Sequence, residues 1–538
     1  SMLILVMDRL NCVCVLFAVV RTLAGFELNI LHINDAHAHI DGTSRSSGLC
    51  RTSSSCYGGF ARVMAKVKEL KAKQKNVLWL SAGDMFQGSP YFTKFKSDVL
   101  VPFVNEMGFD AQSLGNHEFD EGVPELAKYL KQVTSPVLCC NIDLSEEPSL
   151  KTQVLSESKI LEVGGVKVGI VGYLTTDILK ENRGNVKILP EVPSLRRAAA
   201  DVRKQGAQVV IALGHSGYEP ELEIAKQVEE LDAVIGGHSH TFLYTGDKQD
   251  GMDKPKGPYP TMVTQRNGKK VPVVQAFQFT KYLGHLRLEF DSKFRLFNST
   301  GSPILLKPNF PRDKKILEMQ EKWDKNMTEV CQVVGEFKKD MEGDRTVCRF
   351  QECPMGNFAA DALLDYAHKN VNESHIIAFL HGGLIRSSIE KGKATVAEVS
   401  SVLPFKDNTV VLKVPGSKLL EALEFSVKDY SPVVGTPRFI QTSGLKVKFD
   451  MKKPPGSRVK SARVVGRSGG TTEMTSDGSY VVVMSRFTLN GGDGYVFFKN
   501  NSVLLHESKG PIDGILLEYL RNRGLYEPTG ESRVEFES

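Results

Sequence analysis

Largely apolar runs alternate with amphipathic stretches along the first half of the chain. Runs of strand length occur at residues 28–33, 77–80, 209–213 and 231–235, and this pattern predicts β-strands. Between them, residues 60–73 and 123–132 have the apolar spacing of amphipathic helices. Strands that alternate with helices predict a layered α/β core.

An amphipathic stretch also opens at Gly356-Asn357 in the second half of the chain. This spacing predicts a helix, and it places Arg349 just before the helix N-terminus, a favourable position for a phosphate. The apolar residues that share one face of this helix are Phe358, Ala359, Ala362, Leu363, Tyr366 and Ala367.

A charged stretch separates the two halves of the chain. Residues 311–323 contain no glycine and have apolar positions at Ile316, Leu317 and Trp323, a pattern that predicts an exposed linking helix. The chain has 538 residues, more than the roughly 250 to 300 that one hydrophobic core supports. We therefore predict two domains, residues 26–308 and 331–538, with a linker at 309–330.

The N-terminal segment is typical of a secretory signal peptide. An apolar stretch at residues 12–20 follows Arg9 and precedes Leu23-Ala24-Gly25, which predicts a signal at residues 1–25 with cleavage near Gly25. The stretch is shorter than the roughly 20 residues that span a bilayer, so a membrane anchor is the weaker interpretation. We expect a secreted protein without a membrane anchor.

Composition and charge are consistent with this interpretation. The net charge is +5, and no dense block of Lys and Arg with interleaved aromatic residues is present in the sequence, which argues against nucleic acid as a partner. Four Asn-x-Ser/Thr sequons, which fit a secreted glycoprotein, occur at Asn298, Asn326, Asn372 and Asn500.

Acidic, amide and histidine side chains cluster after the predicted strands. Ligands bind at the carboxyl ends of strands in open α/β sheets. Carboxylate, amide oxygen and imidazole suit zinc, manganese or iron, and a carboxylate such as Asp84 can bridge two ions roughly 3.5 to 4 Å apart. Each cluster alone is ordinary loop chemistry, but together they predict a two-metal site. The clusters are Asp35-Ala36-His37, Gly83-Asp84, Gly115-Asn116-His117-Glu118, Gly214-His215 and Gly237-His238-Ser239-His240.

The order of these clusters resembles the signature of the metallophosphoesterases, and the GNHEFD version is similar to the 5'-nucleotidase family. Segments of the second half strengthen the resemblance, which runs from about Phe26 to the end of the chain. Those segments are Cys348-Arg349-Phe350-Gln351-Glu352-Cys353-Pro354-Met355-Gly356-Asn357, Gly382-Gly383-Leu384-Ile385-Arg386, Leu403-Pro404-Phe405 and Asn490-Gly491-Gly492-Asp493-Gly494.

The resemblance implies a fold and a ligand set. It implies a four-layered sandwich of two mixed sheets with helices, followed by an α+β nucleotide-binding domain that rotates about a hinge. Two divalent ions are implied, most readily zinc, with calcium, manganese or magnesium as alternatives. One ion would be held by Asp35, His37 and His240 and the other by Asn116, His215 and His238, with Asp84 as the bridge.

The resemblance also implies roles in catalysis. His117 would stabilise the transition state and protonate the leaving group, and Asp120 would orient it. The two residues are one helical turn apart, so their side chains can meet. A helix N-terminal charge is the alternative interpretation of Asp120.

Substrate contacts are implied in the second half. Arg349 and Arg386 would hold phosphate, Phe405 and Phe487 would sandwich a base, and Asp493 would accept from ribose hydroxyls. Two positions depart from the animal 5'-nucleotidases. His381, still assigned to the substrate contacts, replaces Asn, and Leu384 replaces a glycine and could narrow the space beside the ligand.

The family carries disulfides in loops that match Cys50 with Cys56 and Cys348 with Cys353. Without the two cysteines of the predicted signal, Cys139, Cys140 and Cys331 are then left over, an odd number. One of them is expected to be free or to pair with another chain.

The implied function is a secreted metal-dependent nucleotide phosphohydrolase. It would act on AMP as a 5'-nucleotidase, or on ATP and ADP as an apyrase of the kind that blunts platelet aggregation in arthropod saliva. The alternatives are a non-catalytic ADP scavenger and a hydrolase of UDP-sugars or cyclic nucleotides. Residues 533–538 show no tail of the kind that directs GPI anchoring, and the expected state is a monomer or a homodimer.

Overall fold

A computed structural model of the protein describes residues 25–51, 55–178, 180–432, 435–530 and 532–537. Residues 1–24, which carry the predicted signal peptide, lie outside the described residues. The chain divides into two compact units. Of the described residues, the first unit contains those up to His37 with those of Tyr57–Phe86 and Lys96–Leu317, and the second contains those of Ala38–Cys56 and Gln87–Phe95 and those that follow Leu317.

Two mixed sheets form the first unit. One has the order β15-β14-β1-β2-β3-β4-β6, with β16 also paired to β14, and the other has the order β12-β13-β11-β10-β8-β7. A short pair, β5-β9, stands apart. The strands are β1 (Phe26–Ile33), β2 (Val77–Ser81), β3 (Ala111–Ser113), β4 (Val137–Leu138), β5 (Ile142–Asp143), β6 (Leu155–Ser156), β7 (Ser158–Val163), β8 (Val166–Leu174), β9 (Lys187–Ile188), β10 (Val209–His215), β11 (Ala233–Ile235), β12 (Thr261–Thr264), β13 (Lys270–Val274), β14 (Tyr282–Phe290), β15 (Leu296–Gly301) and β16 (Ile304–Leu305).

Alternating side chains explain the layers of the first unit. Val209, Ile211 and Leu213 of β10 join a core that also contains Leu28 and other residues of the first sheet. The intervening residues of β10 join a second core with the helix Glu191–Lys204. Because side chains of a strand point alternately to its two faces, each sheet packs on the other sheet and on helices. The predicted sandwich of two mixed sheets with helices is confirmed.

Helices lie between the strands of the first unit. The predicted helix at 60–73 is confirmed as Phe60–Lys73, and the one at 123–132 begins one residue earlier, as Gly122–Gln132. The other helices of this unit are Ser97–Met107, Lys180–Arg183, Glu191–Lys204 and Tyr218–Gln227, with 3-10 turns at His117–Phe119 and Pro148–Leu150.

The second unit contains a five-stranded sheet of order β21-β18-β25-β20-β26, a four-stranded sheet of order β24-β23-β22-β28 and a three-stranded sheet of order β19-β17-β27. Side chains of β18 alternate between two cores, so this strand is covered on both faces. The strands are β17 (Val333–Phe337), β18 (Ile376–His381), β19 (Gly392–Thr395), β20 (Asn408–Pro415), β21 (Ile440–Ser443), β22 (Leu445–Phe449), β23 (Val459–Val465), β24 (Thr471–Glu473), β25 (Ser479–Ser485), β26 (Val503–Pro511), β27 (Leu525–Tyr526) and β28 (Val534–Phe536).

The helices of the second unit include the predicted amphipathic one. It spans Pro354–Asn370 and is capped by Cys353, so it begins two residues before the predicted start. The others are Pro90–Phe95, Arg345–Cys348, Val396–Ser400, Gly416–Ser426, Arg486–Leu489 and Ile512–Arg523, with 3-10 turns at Thr328–Cys331 and Gly492–Gly494.

The predicted linking helix is present as Lys314–Asp324, and the division between the units falls within it, after Leu317. Two short segments of the first half, Ala38–Cys56 and Gln87–Phe95, cluster with the second unit. A contiguous division of the sequence does not anticipate this, because local patterns do not show which partners a loop packs against.

Both predicted cysteine pairs form disulfides, Cys50 with Cys56 and Cys348 with Cys353. The three remaining described cysteines are free, of which Cys139 and Cys140 are buried and Cys331 is exposed. Among the described residues, no helix combines the length and the apolarity of a membrane span.

Candidate active site

The predicted metal ligands of the first unit lie at the carboxyl ends of neighbouring parallel strands or on the loops that follow them. Strand β1 pairs in parallel with β2, and Ile33 is opposite Ser81 at the ends of the two strands. Strand β10 pairs in parallel with β11 in the same way. Aligned strand ends bring the following loops together, which is why five segments far apart in sequence converge.

Four side chains form a first cluster of possible ligand atoms. The ligand atoms of Asp35, His37, Asp84 and His240 all lie within 4.8 Å of one another, and all four residues are buried. His240 Nε2 is 2.9 Å from Asp35 Oδ1 and 3.1 Å from His37 Nε2. The spacing and the mixture of carboxylate and imidazole donors suit a divalent ion.

A second cluster shares one residue with the first. It contains Asp84, His215 and His238, and His215 Nε2 is 2.9 Å from Asp84 Oδ2. His238 Nδ1 is 2.8 Å from Asn116 Oδ1, so the amide predicted as a ligand also lies here. A carboxylate common to both clusters can bridge two ions.

The surroundings of the buried His215 Nε2 atom indicate that a cation fits these clusters. His215 Nε2 is buried and, in the part of the chain that the structure describes, makes no hydrogen bond of good geometry, although a carboxylate oxygen lies nearby. An unsatisfied buried nitrogen is costly unless an ion or another partner meets it. Its Nδ1 atom contacts Ala82 O at 2.7 Å, which leaves Nε2 directed at the cluster.

Electrostatics also favour a cation here. Burial by itself would lower the pKa of the His215 imidazole, but the Asp84 and Asp35 carboxylates raise it to about 10. Burial opposes ionisation of Asp84, yet the imidazoles of His215 and His117 hold the pKa of that carboxyl well below its usual range. The cluster therefore stabilises positive charge, which divalent ions supply when they replace the protons.

The backbone of the site is held in unfavourable conformations. Asp35, His37, Asp84, His238 and His240 all have positive φ angles, between 48° and 71°. Such angles are uncommon for residues with a side chain and concentrate at functional sites, where the surrounding structure enforces them.

His117 and Asp120 lie beside the shared carboxylate. His117 Nδ1 is 2.6 Å from Asp120 Oδ2, and His117 Nε2 is 4.0 Å from Asp84 Oδ2. The backbone N–H of His117 donates to Asp84 Oδ1 at 3.0 Å. The Asp120 carboxylate thus fixes Nδ1 as the protonated nitrogen and leaves Nε2 to act on a ligand.

Two buried glutamates to which the sequence pattern assigned no role, Glu118 and Glu221, hold the loops of the site. The Glu118 carboxylate accepts from the backbone N–H groups of Asp84, Met85 and Phe86 at 2.8 to 3.1 Å. Its place in the GNHE motif is the one signal that could have identified it.

Glu221 supports the backbone at Gly217 and Gly237, next to His215 and His238. Its carboxylate accepts from the backbone N–H groups of Gly217 and Gly237 at 3.2 and 3.0 Å and from Gln275 Nε2 at 2.6 Å. No motif marks it, because two of its partners, Gly237 and Gln275, are distant in sequence.

The predicted substrate residues belong to the second unit. The Arg386 guanidinium lies over the Phe405 ring, 5.7 Å from its centroid. Phe405 and Phe487 are partly buried against the same core, and each keeps some exposed surface. Arg349 follows the helix Arg345–Cys348 and is also partly exposed. Their roles stay predictions.

His381 and Leu384, the two positions that depart from the animal 5'-nucleotidases, are both buried. His381 has no exposed surface and lies 3.3 Å from Asp493 Oδ2, so it reaches a neighbouring residue rather than presenting itself to a ligand. Leu384 is 6 % exposed and packs in the core. The ring of His381 is turned inward, and its assignment to the substrate contacts stays a prediction.

Two family profiles match the chain. The calcineurin-like phosphoesterase profile matches residues 28–242, and the 5'-nucleotidase C-terminal domain profile matches residues 333–500. The first match contains both clusters of candidate metal ligands, and the second contains all six predicted substrate residues.

Similar proteins cover almost the whole chain. Protein 5NUC from Lutzomyia longipalpis is 38% identical over 535 residues, which cover 95% of this chain and 92% of that protein. The 5'-nucleotidase of Homo sapiens is 36% identical over 528 residues, 95% of this chain and 91% of the relative. The crystal structure of a 5'-nucleotidase precursor from Thermus thermophilus matches with a TM-score of 0.85 at 34% identity and covers 95% of this chain and 99% of that one.

Proposed function

The chain belongs to the 5'-nucleotidase family of calcineurin-like phosphoesterases, and from that premise we propose that it removes the 5'-phosphate of nucleoside monophosphates such as AMP with two bound divalent ions. The observation that carries the proposal is the pair of ligand clusters sharing Asp84, with His117 beside them. Relatives named 5'-nucleotidase at 36–38% identity favour a monophosphate over ADP or ATP.

The ligand set predicts which ions bind. Imidazole nitrogens from four histidines together with two carboxylates suit zinc better than calcium or magnesium, which prefer oxygen ligands. When bound, two such ions supply a nucleophile at neutral pH and neutralise charge on the phosphoryl oxygens. Asp35, His37 and His240 would hold one, Asn116, His215 and His238 the other, and Asp84 both.

His117 then acts on the leaving group. Because Asp120 accepts from Nδ1, a protonated His117 carries its second proton on Nε2, which points toward the clusters. From there it can donate to the developing charge and to the leaving oxygen of the nucleoside. Asp120 keeps the ring oriented and stabilises its positive charge.

The second unit would recognise the nucleotide. Arg349 and Arg386 present planar guanidinium groups suited to phosphate oxygens. Phe405 and Phe487 have exposed ring surface for stacking on a base, and Asp493 would accept from ribose hydroxyls. Affinity for the nucleoside would therefore depend on this unit and bond cleavage on the first.

We also propose that the enzyme acts outside the cell as a glycoprotein. All four sequon asparagines, Asn298, Asn326, Asn372 and Asn500, are exposed, and two disulfides are present. Disulfides persist in oxidising compartments. Relatives include proteins named snake venom 5'-nucleotidase.

Phosphate release from AMP, ADP and ATP tests the proposal. Purified protein is assayed before and after EDTA treatment and after addition of zinc, manganese, calcium or magnesium, beside His117→Ala and the control His375→Ala, which changes an exposed histidine. Metal-dependent release from AMP that His117→Ala abolishes and His375→Ala retains is the expected result.

Other outcomes identify other functions. Release from ADP and ATP with little from AMP would show an apyrase. Nucleotide binding without metal-dependent release would show a scavenger and contradict the proposal.

A further inference from the structure

The imidazole of His381 lies between the two elements that we propose hold the nucleoside. It ends strand β18, and its side chain has no exposed surface. Its Nδ1 atom is 3.3 Å from Asp493 Oδ2 and 3.2 Å from Pro437 O. A side chain without exposed surface can influence a bound ligand only through its neighbours.

The other edge of the ring faces the second element. His381 Nε2 is 3.4 Å from Thr488 Oγ1, and Thr488 lies on the helix Arg486–Leu489 beside Phe487. The ring centroids of His381 and Phe487 are 6.3 Å apart. A neutral imidazole can donate from Nδ1 to Pro437 O, with Asp493 Oδ2 beside the same N–H, and can accept at Nε2 from the Thr488 hydroxyl. One ring thus contacts both elements.

Asp493 needs such support because its backbone is unfavourable. Its φ and ψ angles are 50° and 23°, in the left-handed region that residues with a side chain rarely adopt. Arg438 Nε donates to its carbonyl oxygen at 3.1 Å. A Cβ atom at Gly383 would lie 2.6 Å from Asp493 Oδ2, so the absence of a side chain there leaves room for the carboxylate.

We propose that His381 is a positioning residue for nucleoside selectivity. It holds the Asp493 carboxylate in the orientation that accepts ribose hydroxyls and links it to the helix that carries Phe487. The inference rests on the proposed function, in which Asp493 contacts ribose. It assigns His381 a role that differs from direct contact with the base.

Three substitutions of His381 test the contacts of Nδ1 and those of Nε2 separately. His381→Asn keeps a donor near the position of Nδ1 but does not reach Thr488. His381→Gln places its amide near the position of Nε2 and removes the N–H that lies beside Asp493 Oδ2. His381→Leu removes both polar contacts and keeps an apolar side chain at this buried site.

Steady-state kinetics with AMP and 2',3'-dideoxy-AMP test the role. For His381→Leu we expect KM for AMP to rise about three- to tenfold, the size of one lost polar contact, with kcat within about twofold. KM for dideoxy-AMP stays unchanged, because that ligand offers no hydroxyl to Asp493. His381→Asn retains the preference for AMP, whereas His381→Gln loses it.

A double-mutant cycle tests whether the effect of His381 depends on Asp493. In an Asp493→Ala background, His381→Leu should cause no further loss of preference, because its effect passes through that carboxylate. Thermal unfolding of each variant reports whether it is folded.

The results distinguish the two proposals. If the wild-type protein releases no phosphate from AMP, the proposed function fails. If it does, and His381→Leu keeps the preference for AMP, or His381→Asn and His381→Gln behave alike, the positioning role is wrong. The Asn and Gln variants keep the test decisive if the Leu variant does not fold.

Discussion

The two units present functional residues in opposite environments. In the first unit the side chains of Asp35, Asp84 and His215 are at most 1% exposed, and they combine carboxylates with imidazoles. In the second, the Asp493 carboxylate is 26% exposed, and the predicted substrate set consists largely of arginines and aromatic rings. Charges act most strongly where water is excluded, whereas a surface that binds and releases a ligand has to stay accessible.

From this difference we expect the first unit to determine bond cleavage and the second unit to determine affinity for the nucleotide. Changes in the first unit should lower kcat, because they alter charge stabilisation in the transition state, and changes at the ligand clusters should lower metal content as well. Changes in the second should raise KM and leave kcat nearly unchanged. Four variants test this separation, from the largest expected effect to the smallest.

Asp84→Asn should have the largest effect. Asp84 is the one residue common to both ligand clusters, so its loss weakens both ion sites. We expect kcat for AMP to fall by roughly 10⁴-fold and the metal content per chain, measured by inductively coupled plasma mass spectrometry, to fall with it. Asp477→Asn, at an exposed aspartate, is the control. Full metal content with full activity would contradict a bridging role.

His117→Ala should lower kcat by roughly 10³-fold, a typical contribution of a general acid. Metal content and KM should stay near the wild-type values, because His117 is not a member of either ligand cluster in the described chain. Asp120→Asn should cause a smaller loss, since it removes only the orienting charge. A large fall in metal content in His117→Ala would instead make His117 a ligand.

Glu221→Gln tests the support of the site. A glutamine turns an N–H donor toward groups that also donate, among them the Gly237 amide, so the loop that carries His238 should loosen. We expect metal affinity, measured by competition with a chelator, to fall roughly 10- to 100-fold. Glu219→Gln, on the same helix but exposed, should bind metal normally. Equal affinity in both variants would show that Glu221 is not needed.

Phe487→Ala should have the smallest effect on turnover. Loss of one base-stacking ring is expected to raise KM for AMP roughly tenfold, with kcat within about twofold. Phe297→Ala, at a ring that is 66% exposed in the first unit, is the matched control. A fall in kcat as large as that for His117→Ala would break the separation between the units.

Much of this organisation can be predicted from sequence because it depends on local order. Strand-length apolar runs predicted β1, β2 and β10, and the residues that follow them are the ones the structure brings together. In the GNHE motif the predicted metal ligand Asn116 and the predicted general acid His117 are adjacent along the chain. Their relation can therefore be predicted from local sequence.

The tertiary structure alone decided how the site is supported. Glu221 accepts from Gly217, near it in sequence, and from Gly237 and Gln275, which are far away, so no local pattern marks it. The inward turn of His381 toward Asp493 depends on residues more than 100 positions apart. Hydrogen-bond partners of this kind meet only after the strands have aligned and packed. For that reason the local sequence determined which residues are the predicted ligands, and the fold determined which residues support them.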